Sequence, residues 1–76
     1  MIDFSTLTDT ERDAQIAETV DDMLCMLRGG RSLEASRDRF LTLAGRYALN
    51  ANDRTARADV IMRAYEAACT MTQQTP

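Results

Sequence analysis

Apolar residues recur along this chain at helical spacing. Ile16, Val20, Met23, Leu24 and Leu27 share one face on a 3.6-residue period, while Glu18, Asp21 and Asp22 turn outward. Before them, Thr8 and Glu11 stand three residues apart as a capping box, with acids where the helix dipole favours them. After them, Gly29-Gly30 offers the left-handed closing conformation. The pattern predicts a first helix over about 9–28.

A second helix over about 33–49 opens at Ser32 as N-cap and carries Leu33, Phe40, Leu43, Ala44 and Tyr47 on one side. Gly45 interrupts it at a cost of about 1 kcal/mol relative to alanine. Leu49-Asn50-Ala51-Asn52-Asp53 is the expected turn, so that Asn52 or Asp53 starts a third helix over about 53–71, followed by a fraying tail at 72–76. No β-branched alternation suggests a strand.

The third helix is apolar twice over. One stripe holds Ala56, Val60, Ala64, Ala67 and Met71, widened by Ile61 and Ala68; a second holds Ala58, Met62, Tyr65 and Cys69. A surface helix in a small bundle uses one such face. The spare stripe therefore marks a helix that is central or that meets another chain. The expected architecture is a single all-α domain over 1–76, a three-helix bundle or a helical hairpin with a third helix, self-associating through the third helix. Ala58, Met62, Tyr65, Cys69 and Met26 are its expected interface residues, and a homodimer its expected state.

Size reinforces the case for association. A chain of 76 residues buries only about 60% of its unfolded surface and draws about 3–5 kcal/mol from its core. Two cysteines allow one disulfide at most, and the absence of histidine rules out the common zinc sites that combine Cys with His. Neither a signal-like start nor a run of apolar residues long enough for a membrane span is present, so a cytoplasmic location with reduced thiols is expected.

Charge is segregated. Residues 1–27 carry seven acids against Arg12 alone, whereas Arg28 to Arg63 hold eight arginines against four acids; the chain totals -3. The two halves can pair within one chain or between copies. The complete preference for Arg over Lys, with abundant Ala, is a composition of high-GC bacterial or phage genomes.

Catalytic chemistry finds little footing without His or Lys, and no cofactor is implied. Glu18, Asp21 and Asp22 form an acidic face without the loop spacing of a calcium site. Gly29-Gly30-Arg31-Ser32-Leu33 invites comparison with the phosphopantetheine-accepting motif of carrier proteins, but Arg31 stands where that motif has Asp and the preceding loop is too short. Ser32 is read as a helix cap.

The expected function is therefore a non-enzymatic protein–protein interaction module. A bacterial or phage regulator or inhibitor acts in this way, by occupying a partner protein, with the acidic face of the first helix selecting it electrostatically. Two alternatives stand beside it. One is a helix-turn-helix DNA-binding regulator using Arg54, Arg57 and Arg63, opposed by the chain's acidity. The other is a small secretion-type chaperone.

Overall fold

The computed structural model describes residues 2–73 and contains three α-helices: α1 (Asp9–Arg28), α2 (Leu33–Tyr47) and α3 (Ala51–Gln73), preceded by a single 3₁₀ turn at Phe4–Thr6. The architecture is the small all-α bundle that the periodicity predicts.

Local chemistry sets each boundary. The Thr8 hydroxyl accepts the Glu11 amide while the Glu11 carboxylate accepts the Thr8 amide, completing the capping box. The end of α1 is a Schellman closure: the Gly30 amide donates to the Leu27 carbonyl and the Arg31 amide to the Met26 carbonyl. That geometry puts Gly30 at φ 99°, where glycine alone is unstrained. Ser32 then caps α2 by accepting the Ala35 amide.

The α2–α3 corner differs from the sequence expectation. Helix α2 ends at Tyr47 and α3 begins at Ala51, two residues earlier than the expected start. Asn50 is the capping side chain, its Oδ1 accepting the Asp53 amide at 2.8 Å. Asp53 is consequently inside the first turn of α3, and the structure buries it completely. Competition among Asn50, Asn52 and Asp53 for one cap is decided by the partners that Asp53 finds outside α3. At the other end, α3 continues through residues 72 and 73, and the rest of the expected fraying tail lies outside the described residues.

Helix α3 is the common partner of the other two, and α1 and α2 touch each other less than either touches α3. Val20 and Met23 of α1, Leu33 and Ala44 of α2, and Ile61, Ala64 and Ala68 of α3 form the buried core. The small side chains on α3 have a geometric purpose. Ala64 and Ala68 have no exposed surface, so their neighbours approach to van der Waals contact where a larger residue would hold them apart. Leu27, Tyr47 and Met71, expected on core stripes, remain at least one-third exposed because they sit at helix ends.

Gly45 lies in ordinary helical conformation on the exposed side of α2. An added Cβ would meet nothing closer than the Arg54 guanidinium at 3.5 Å. Gly45→Ala should therefore stabilise the fold by up to about 1 kcal/mol. The corresponding rise in the calorimetric midpoint is about 4–8 °C.

Candidate interaction cleft

Helices α1 and α2 run antiparallel and leave a cleft between them, floored by α3. At one end Gln15 and Thr19 of α1 face Leu43 and Tyr47 of α2 across Val60 and Ile61, around a cavity of about 190 Å³. Toward the other end the Ser36 hydroxyl donates to the Met26 sulfur at 3.3 Å. Met26 and Arg39 then line a second depression beside Gly29 and Arg31. The α2 wall is apolar, while α1 contributes Gln15, Thr19 and Met26. Phe40 and Leu43 are half-buried, and Tyr47 is 54% exposed.

The charges flanking the cleft are opposite on its two sides. On the helical period, Asp22 neighbours Met26 and Gln15 on the outward side of α1, with Glu18 beyond it; Arg39 and Arg46 flank Leu43 on α2. Ion pairs among the described residues do not join them. All four are local: Arg12–Asp9, Arg37–Asp38, Arg57–Asp53 and Arg63–Asp59. The segregation of charge seen along the sequence is thus carried to the surface instead of being consumed inside the fold.

A clasp closes the Tyr47 end of the cleft. The buried Asp53 carboxylate accepts the Phe4 amide at 2.6 Å, the Leu49 amide at 2.8 Å and Arg57 Nε at 2.8 Å. Arg57 in turn donates through Nη2 to the Ile2 carbonyl at 2.7 Å, and its guanidinium lies 4.2 Å from the centroid of the Phe4 ring. Asn50 extends the network by donating to the Asp3 carboxylate. Burial raises the Asp53 carboxyl, but the Leu49 amide, the Arg57 guanidinium and the Phe4 amide outweigh it and hold the group below the usual carboxylate range. Hydrogen bonds from the Ser5 hydroxyl, from Asn50 and from the Ser5 amide lower Asp3 in the same way.

The two stripes of α3 go to different neighbours. Tyr65 faces α2: its hydroxyl donates to Glu34 at 3.1 Å, and Arg37 lies 4.8 Å over its ring. Neighbouring Cys69 and Glu34 push the Tyr65 phenol up to about 12. Tyr65 and Cys69 both pack against the core, and Ala58 is half-buried, leaving Met62 as the open member of that stripe at 37% exposure. Met26, the remaining expected interface residue, lines the α1–α2 cleft. Much of the spare face is therefore the contact surface of a central helix.

Among the residues considered for nucleic acid, Arg57 belongs to the clasp and Arg63 pairs with Asp59, while Arg54 extends over Gly45. Glu18, Asp21 and Asp22 are exposed on α1. Among the described residues, no group of three or more Cys, Asp or Glu is placed to hold a metal ion. Cys25 and Cys69 are both free thiols, and among the described residues no helix is long and apolar enough to cross a membrane.

Sequence reasoning passed over Asp53 and Ser36 as buried polar residues. Ser36 falls on the same α2 face as Leu33 and Phe40, a periodicity signal that could have placed it. Asp53 gave no comparable signal, because the Phe4 amide that it holds is 49 positions away and its burial depends on that contact. Compared with protein-family models, curated proteins and solved structures, the chain matches none at significance.

Proposed function

We propose that this chain is a non-enzymatic protein–protein interaction module, a regulator or inhibitor that works by occupying a partner, and that its binding surface is the α1–α2 cleft. The observation that carries this reading is the conjunction of the apolar side chains of Phe40, Leu43 and Tyr47 along the cleft with flanking charges that no ion pair among the described residues uses. Apolar side chains provide area to bury, and the flanking charges select orientation and speed encounter. Such a surface suits a helical face that presents apolar side chains between charges of complementary sign.

The arginines of α3 favour this reading over a DNA-binding one. A recognition helix must present its face to a groove, whereas α3 packs against both α1 and α2 and its Arg57 is tied to Asp53.

The test is Leu43→Asp combined with Tyr47→Asp. Tyr47 is exposed and Leu43 half-buried, so circular dichroism and a thermal melt verify that the double variant stays folded before binding is read. Affinity capture from the source cell should recover a protein with wild type and with a Met62→Asp control, and lose it with the double variant. Equal recovery by the double variant would remove the cleft as the binding surface.

A further inference from the structure

We infer that the α1–α2 face is self-complementary and that its occupant is a second copy of this chain, related by a two-fold axis running along the cleft. This rests on the reading of the cleft as a binding surface and adds the identity of what covers it.

The argument begins with register. Met26 lies level with Ser36, and Gln15 and Thr19 lie level with Leu43 and Tyr47. Interpolating along two antiparallel helices places Asp22 within one turn of the level of Arg39, and Glu18 within one turn of the level of Arg46. The acids and arginines therefore form two parallel rows at matching heights on opposite sides of the cleft.

Symmetry then converts that pattern into a choice. Two copies can meet face to face about either of two in-plane two-fold axes. An axis along the cleft sets α1 over the partner's α2, so acidic row meets arginine row, and does so twice. An axis across the cleft sets α1 over the partner's α1 and α2 over the partner's α2, stacking acid on acid and arginine on arginine. Like charges brought together oppose association, so the first arrangement is selected.

Of the other charged groups, Glu11 is held in the capping box by the Thr8 amide, and Arg31 lies in the interhelical turn beyond the Met26 end of both rows. Arg12 is held against Asp9, and Arg28 donates to the Cys25 sulfur. On α2, Asp38 pairs with Arg37 and Glu34 accepts the Tyr65 hydroxyl, both on the side away from Arg39 and Arg46. The chain itself carries the opposite charge rows at the spacing that this face requires.

Charge exchange tests the arrangement by sedimentation equilibrium at low salt. Wild type should be dimeric at about 100 µM, and dissociation should rise steeply with ionic strength. One variant, Glu18→Arg with Asp22→Arg, makes both rows positive; a second, Arg39→Asp with Arg46→Asp, makes both negative. Each alone should dimerise at least about tenfold more weakly, and an equimolar mixture should recover a heterodimer. Placing all four substitutions in one chain should restore the homodimer. All four sites are exposed, so retained helicity by circular dichroism accompanies each measurement.

A monomeric wild type, dimers indifferent to both variants, or a four-site variant as weak as its parents would each overturn the inference. If wild type is monomeric while Leu43→Asp/Tyr47→Asp still loses a captured protein, the cleft remains a binding surface for a foreign partner and only the second copy is excluded.

Discussion

Asp53→Ala is expected to lower the thermal midpoint by on the order of 10–20 °C, more than any other polar substitution in this chain. The residue has no exposed surface, and its carboxylate is the shared acceptor for the Phe4 and Leu49 amides and the Arg57 guanidinium. Truncation strands all three donors and leaves a cation beside them without its counter-charge, and such losses cost more than the pair itself contributes. Asp53→Asn, which keeps one acceptor oxygen, should fall between. Calorimetry of the two variants orders the effects, and a midpoint for Asp53→Ala within a few degrees of wild type would mean that the clasp is dispensable.

The same group sets a direction with pH. Asp53, Asp3 and Glu11 all titrate below the ordinary carboxylate range in the folded chain, Glu11 because the Thr8 amide and hydroxyl bond to it. A lowered native value means that the unfolded state binds protons first. The stability these carboxylates contribute is therefore complete above the unfolded value near pH 4 and is lost as pH falls through the lower native values. Midpoints recorded downward from neutral pH should stay level to about pH 4 and then drop.

Met23→Ala should be the most damaging apolar truncation, at about 2–5 kcal/mol, enough to unfold much of a domain this small. Met23 is the largest fully buried apolar side chain, and it belongs to the core cluster built around α3. Its removal leaves a hole that the flanking helices fill only partly. Met23→Leu, close in volume, should cost less than about 1.5 kcal/mol. Urea titration separates the two, and similar losses for both would indicate that shape rather than volume matters there.

How much of this was legible in the chain depends on the range of the interaction. Helix α1 was readable in full, since Thr8, Glu11 and Gly30 act within a few residues of themselves. The double stripe on α3 was visible too, but periodicity records only that a face is apolar. It says nothing of whether α2 or another molecule covers Tyr65. The start of α3 was misplaced because Asn50, Asn52 and Asp53 could each cap it, and the tie was broken by the distant N-terminal segment. The candidate cleft depended on how far apart α1 and α2 stand above α3, a tertiary property no single segment encodes. Its charges, by contrast, were plain in the sequence as an acidic front and a basic rear.

The clasp also changes what kind of end this chain has. A leading segment that only lay across the bundle could peel away and return while the helices stayed intact. Here the Phe4 amide shares one carboxylate with the Leu49 amide at the α2–α3 corner. Detaching the front of the chain therefore loosens the start of α3 as well, and α3 is the element on which both other helices rest. Opening at the N-terminus is coupled to opening of the whole, and slow exchange of the Phe4 amide with solvent is its natural signature.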